Sequence, residues 1–284
     1  RLRLADGDVD GLRQDAATLQ LAAQNLNMKN AVVIANGIAT TDTQNYTGRI
    51  SGNISGAGGL AKIGLGTLVL SGSNTYAGST GVLQGALQGG AANAFSALSA
   101  HTVSAGAALD VGGFDQTIGS LAGAGTVTNS GAALARLTTG NNGVDSTFSG
   151  AIADGSAPLG LKKTGAGTMI LAGSNTYSGG TTLSAGTLGI ANSSALGTGA
   201  LTTFDGSRLA FFADNLNLAN SVTLANGVST IDAGRNSATL SGTITGAGGM
   251  AKAGDGTLIL SGQNTYSGAT TVTGGVLIVT GSIA

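Results

Sequence analysis

The chain has no cysteine, no tryptophan, no glutamate and a single proline, Pro158, in 284 residues. Without cysteine no disulfide can hold the fold, which suits a protein that must stay unfolded during export. Charged residues make up 9% of the chain, where an ordinary soluble domain has about 25%. All 13 acidic residues are Asp. Helix surfaces are normally filled with Glu, Lys, Gln and Arg, so their scarcity argues against a helical protein. The net charge is −1 and no basic block occurs. Nucleic-acid binding needs a concentrated positive footprint, so no nucleic-acid partner is expected. No apolar run reaches the roughly 18 residues of a membrane-spanning helix. No signal peptide begins at Arg1, and the chain reads as a segment of a longer protein.

What is abundant is glycine, 51 residues, with Ser, Thr and Asn as the main polar types and Val, Ile and Leu as the main apolar ones. These are turn and strand residues. Hydrophobic residues reach 42% and recur in short alternating runs, which argues for folded structure over a flexible low-complexity chain.

Internal repeats dominate. One copy holds Leu60, Lys62, Gly64, Gly66, Thr67, Leu68, Leu70, Gly72, Asn74, Tyr76 and Gly78. A second holds Leu161, Lys163, Gly165, Gly167, Thr168, Met169, Leu171, Gly173, Asn175, Tyr177 and Gly179. A third holds Met250, Lys252, Gly254, Gly256, Thr257, Leu258, Leu260, Gly262, Asn264, Tyr266 and Gly268. The copies are offset by 101 and then by 89. Longer segments match at a gapless offset of 190, pairing Leu26-Asn27-Met28 with Leu216-Asn217-Leu218 and Ala35-Asn36-Gly37 with Ala225-Asn226-Gly227. Inside each copy a shorter echo appears, always at an offset of 19. It pairs Gly66-Thr67-Leu68 with Gly85-Ala86-Leu87, Gly167-Thr168-Met169 with Gly186-Thr187-Leu188, and Gly256-Thr257-Leu258 with Gly275-Val276-Leu277. Steps of 18 link Ile50 to Leu68 and Leu240 to Leu258, and one of 21 links Leu188 to Leu209.

A period of about 20 residues, made of strand-like pieces and tight turns, is one coil of a solenoid. The reading is an all-β, right-handed, single-stranded parallel β-helix of roughly 14 coils, one continuous unit over 1–284. At about 4.8 Å between stacked strands the rod would be roughly 65 Å long. Leu68 and Leu70 share a face by the period of two and should point inward, as should Met169 with Leu171 and Leu258 with Leu260. Gly64 and Gly66 flank that strand where the chain must turn. Asn74, Asn175 and Asn264 are expected at corners, left-handed or bonded to the local backbone. Tyr76, Tyr177 and Tyr266 are expected to cover the coil edge. The stretch 154–160, with Pro158, is expected to loop out.

At these residues the sequence resembles the autotransporter-associated β-strand repeat, also called the passenger-associated transport repeat. Gly167 to Thr182, continuing through Leu183-Ser184-Ala185-Gly186-Thr187-Leu188, carries the pattern most fully. The segment Asp110 to Val127 resembles linking sequence of the same passengers. The resemblance runs from about Leu26 onward and implies a type V secreted protein of a Gram-negative bacterium, displayed on the cell surface or released. It also implies a signal peptide and a C-terminal outer-membrane translocator barrel in the full-length protein, neither of which lies in this segment.

Candidate chemistry is sparse. His101 is the sole His, so a Ser-His-Asp triad has one possible base. No Gly-x-Ser-x-Gly elbow accompanies it, and Ser99-Ala100-His101-Thr102 reads as an exposed turn. Asp6, Asp8 and Asp10 alternate and could present oxygens to a cation, but a turn at Gly7 is the simpler account. Paired carboxylates for glycoside hydrolysis have no marked spacing. Lys62, Lys163 and Lys252 read as isolated solvated charges that discourage edge pairing. The Gly-rich 56–59 and 246–249 lack a following Lys-Ser/Thr and read as turns. Aromatics are 4%, too few for ring platforms that hold sugars. No cofactor, metal or catalytic residue is expected. The residues singled out as structural repeat positions are Gly66, Thr67, Leu68, Asn74, Tyr76, Gly167, Thr168, Met169, Asn175, Tyr177, Gly256, Thr257, Leu258, Asn264 and Tyr266.

Three functions fit. The first is a structural and adhesive rod acting in attachment to host cells or extracellular matrix, or in self-association, as a virulence factor. The second is a spacer that promotes translocation and folding and presents an upstream effector. The third is a polysaccharide-degrading β-helix enzyme.

Overall fold

In a computed structural model the described residues are 2–4, 12–13 and 17–283, with side chains described from residue 17. Asp6, Asp8 and Asp10 lie outside them. Every regular element among the described residues is a strand, and neighbouring strands pair in parallel. Gly and Asn punctuate short β-rich runs, so the chain extends for a few residues, bends, and extends again.

Six sheets result, and they fall on three faces of one solenoid of about 13 turns. The first face is a single 14-stranded sheet from Leu2–Leu4 to Thr270–Val272. The second is a 7-stranded sheet followed by a 4-stranded one, and the third is made of sheets of 3, 7 and 2 strands. The chain visits the faces in a fixed order. Gly59–Ile63 lies on the first, Thr67–Leu70 on the second, Asn74 to Tyr76 on the third, and Thr80–Val82 is back on the first.

The inward column of the second face runs Leu68, Leu87, Leu109 and Val127, in register and fully buried. Each such side chain contributes roughly 1.5–3 kcal/mol by leaving water. Because each turn adds one residue to every column, the core is a stack along the axis.

The echo at an offset of 19 holds in register: Leu68 pairs Leu87, Met169 pairs Leu188 and Leu258 pairs Leu277. The step of 21 from Leu188 to Leu209 holds as well. The steps of 18 do not. Ile50 pairs Leu70 instead of Leu68, and Leu240 pairs Leu260 instead of Leu258. Both of these partners face inward, and a shift of two keeps side chains on the same face, so either register satisfied the apolar pattern. The longest step on the first face runs from Gly123 to Phe148. Bends absorb the difference.

Gly66 shows why a bend excludes side chains. A Cβ there would sit 1.9 Å from the Tyr46 carbonyl oxygen of the preceding turn. The 154–160 stretch is only partly a loop. Leu159 and Gly160 already belong to the strand Leu159–Lys163, and Asp154 ties the bend by accepting from the Leu159 and Ser178 N–H groups.

Candidate functional site

Chemistry concentrates where the repeated residues make a corner. Lys62 ends the inward row of Gly59–Ile63 and is fully buried. Its Nζ donates to the carbonyls of Ile63 at 3.0 Å, Gly64 at 2.8 Å and, one turn on, Gln84 at 3.0 Å. Lys163 makes the same three bonds to Thr164, Gly165 and Ala185, and Lys252 to Ala253, Gly254 and Gly274. These lysines are therefore not solvated surface charges. Each closes a bend by gathering three backbone carbonyls on one ammonium. Burial pushes the Lys62 ammonium down to about 8, opposed by Asp42, and Lys163 down to about 8, opposed by Asp145. Burial lowers Lys252 too, against Asp232 and Asp255.

The repeat asparagines are buried, and none has a left-handed backbone. Asn74 Oδ1 accepts from the Ile54 N–H at 2.7 Å, and its Nδ2 donates to the Ala94 carbonyl at 2.6 Å. Asn175 does the same between Ile152 and Ala195, at 2.7 and 2.6 Å. Asn264 accepts from Ile244 N–H and donates to Gly262. Each asparagine thus joins different turns of the solenoid or closes its own bend. Every seam between two sheets of one face falls at one of them: Asn74 and Asn264 on the third face, Asn175 on the second. An amide side chain supplies the hydrogen bonds that the backbone ladder lacks there.

The tyrosines fill the interior instead of capping an edge. Tyr76 and Tyr177 are fully buried and Tyr266 is 2% exposed. Their hydroxyls pair with Thr80, Thr181 and Thr270 at 2.7, 2.6 and 2.5 Å. Thr67, Thr168 and Thr257 open the strands that precede the tyrosines, half-buried, while Leu68, Met169 and Leu258 point inward. Gly167 and Gly256, like Gly66, bring the backbone against the turn before, with Gly143 and Asn236 as neighbours.

The unequal spacing of the copies has a geometric cause. The first copy starts on the first face, and the first face recurs four times, through Ser146–Phe148, before Leu159–Lys163 opens the second copy on the third face. That is four and two-thirds turns. The third copy, at Gly249–Ala253, lies four and one-third turns further on and is back on the first face. The offset of 190 therefore spans nine whole turns. The second copy is the same corner carried around the axis by one third of a turn.

His101 is buried in the strand Ala100–Val103, facing inward beside Phe95 at a centroid distance of 5.8 Å. It is not in an exposed turn. Alternation along the strand sends it inward with Val103. Nδ1 lies 3.0 Å from the Ser99 carbonyl, which sets Nδ1 as the donor and leaves buried Nε2 without a partner. Burial pushes the imidazole down to about 4, partly offset by the Ser99 carbonyl. The unfolded chain takes up the proton near pH 6.5, so the neutral ring's share of stability is fully present above that pH. It is lost as pH falls toward 4, by about 3 kcal/mol. Replacing His101 with Leu should therefore flatten the pH dependence of the denaturant midpoint between pH 6.5 and 4. An unchanged slope would disprove the assignment.

On the outer surface, Phe212 is 51% exposed beside a groove of about 350 Å³ lined by Asp145, Thr147, Thr168 and Ile170. A second groove, of about 240 Å³, lies over Asn27, Arg49 and Val69.

The recurring Lys–Asn–Tyr corner that pins the bends of this parallel β-solenoid is also what relates it to other proteins. Residues 60–88, 161–190 and 250–279 match the passenger-associated-transport-repeat, the three corners described above. The chain is 36% identical over 188 residues to the adhesin BmaC autotransporter of Brucella suis biovar 1 (strain 1330), an alignment taking in 63% of this chain and 5% of that protein's length. No solved structure shows a significant match. The chain is a repeat-bearing segment of an autotransporter passenger. That places it at the surface of a Gram-negative bacterium or among its secreted proteins.

Proposed function

We propose that this solenoid is an adhesive rod, holding contact surface away from the bacterium and binding host cells or extracellular matrix. The observation that carries the reading is the 36% identity over 188 residues to a protein named an adhesin. The geometry supports it. The polar residues of the repeat direct their hydrogen bonds to the solenoid's own backbone and threonine hydroxyls, so the corner serves the rod's stability. Binding is left to the outward columns. The same name supports a non-enzymatic role, and the full-length protein would use an outer-membrane translocator to reach the surface.

Beads coated with this chain should attach to epithelial cells or to immobilised matrix several-fold more than albumin-coated beads. Attachment equal to the albumin control would overturn the reading. Clumping of the coated beads would identify self-association as the mode of contact.

A further inference from the structure

We propose that the groove over Asn27, Arg49 and Val69 binds a carboxylated sugar. The proposal rests on the adhesive reading and gives it a ligand class. These three residues occupy one outward column of the second face, in register on successive turns. The groove of about 240 Å³ is also lined by Leu26 and Thr47, and it is of monosaccharide size.

Two of its polar groups are uncommitted. Asn27 Oδ1 is buried in the wall with no hydrogen-bond partner, although a buried carbonyl oxygen left unpaired is costly. Arg49 has no carboxylate. Among the described residues the one ion pair joins Arg208 and Asp232. The nearest acid along the column among the described residues, Asp110, is taken up by Gln88, Gly112 and Ser130. Arg49 runs forward beside Val69 toward Gly90. A Cβ on Gly90 would meet Arg49 Nη1 at 3.1 Å and Val69 Cγ1 at 2.6 Å, so the guanidinium uses the space that glycine leaves.

The chain carries its own comparison in the matching segment nine turns on. There the column reads Asn217, Thr239 and Ile259, again in register, with Thr280 where Gly90 stands. The solenoid builds these turns without a cation and without the glycine. Folding therefore does not require Arg49 or Gly90, and both changes serve one feature, a free guanidinium lying along the groove.

A planar guanidinium beside an apolar wall pairs with a carboxylate through two parallel hydrogen bonds. The Asn27 amide, turned out of the wall by rotation of its side chain, meets a hydroxyl. Val69 faces the C–H side of a ring. A sugar acid, sialic or uronic, offers all three groups at once. A neutral sugar lacks the anion, and the groove has no aromatic ring to hold it by stacking.

Calorimetry and ligand-observed NMR on the chain test this with 3′-sialyllactose, a glucuronate-containing disaccharide and lactose. One of the two acidic sugars should bind with Kd on the order of 1 mM or tighter, and lactose at least tenfold more weakly. Which acid binds tells sialic from uronic recognition. Arg49→Gln, for which Thr239 shows that the fold tolerates a neutral residue, should abolish binding. Thr239→Arg with Thr280→Gly should raise the stoichiometry from one to two. The proposal is overturned if neither acid binds, if lactose binds as well as the acids, or if Arg49→Gln binds unchanged. Bead attachment that survives Arg49→Gln overturns the groove's part in adhesion and leaves the adhesive reading standing. Sugar binding without bead attachment overturns the adhesive reading alone.

Discussion

Alanine at Gly173 should destabilise the middle of the rod by about 3 kcal/mol or more. The added Cβ would lie 1.8 Å from the Gly150 carbonyl oxygen of the preceding turn, and a Cβ on Gly150 would lie 1.9 Å from the Gly125 oxygen. Both obstacles are backbone atoms, held from two sides by the ladder, so no side-chain rotation relieves the clash. Gly81 is the matched control. It lies on the outward side of Thr80–Val82 with nothing nearer than 3.5 Å, and that neighbour is the flexible Leu83 side chain. Gly81→Ala should be neutral or mildly stabilising, by limiting the unfolded chain. Because each turn of a solenoid contacts only its neighbours, the damage should be local. Hydrogen exchange of amides 168–176 should accelerate in the Gly173 variant while those near Leu87 keep their protection. Equal behaviour of the two variants would remove close backbone approach as the reason for these glycines.

Asn175→Leu should cost roughly 4 kcal/mol by orphaning two buried backbone groups, the Ile152 N–H and the Ala195 carbonyl, at about 1–3 kcal/mol each. Asn175 is 3% exposed, so water cannot replace the amide. Leu has nearly the same shape, so the loss is of hydrogen bonds and not of volume. Asn175→Asp separates the two bonds. It keeps the acceptor for Ile152 but sets a carboxylate against the Ala195 oxygen. Protonation restores a donor, so this variant should regain part of its stability relative to the parent as the pH is lowered toward 5. A melting temperature for the Leu variant within a degree of the parent would show that the seam needs no stitch. A fall of more than about 5 °C is expected.

The register errors show what a periodic sequence leaves open. Pairing Ile50 with Leu68 instead of Leu70 obeys the inward-outward alternation equally well, because a slip of two returns every side chain to its own face. Only the closing of the actual bend between turns chooses. The lysines and asparagines were visible as repeated positions, but their burial was not. A charged residue in a strand is ordinarily read as outward, and nothing in Lys62 by itself announces three carbonyls turned toward it. His101 is hidden for a related reason: its polar type suggests the surface, while the alternation with Val103 puts it inside.

The sequence by itself determined the kind of object. Abundant glycine with a single proline and no cysteine, strand residues with few charged helix formers, and the echo at an offset of 19 together point to a stack of short strands, since that period matches one circuit and its leucines need one common interior. The tertiary structure decided what each repeat does. Spacings of 101 and 89 became four and two-thirds and four and one-third turns, which sets the second corner one face around from the others. It also decided that Asn stitches seams, that Lys closes bends, and that Arg49 stands free beside Gly90. Those facts depend on contacts between neighbouring turns, far apart along the chain. A local pattern carries no information about which carbonyl will be left unpaired once the turns are stacked.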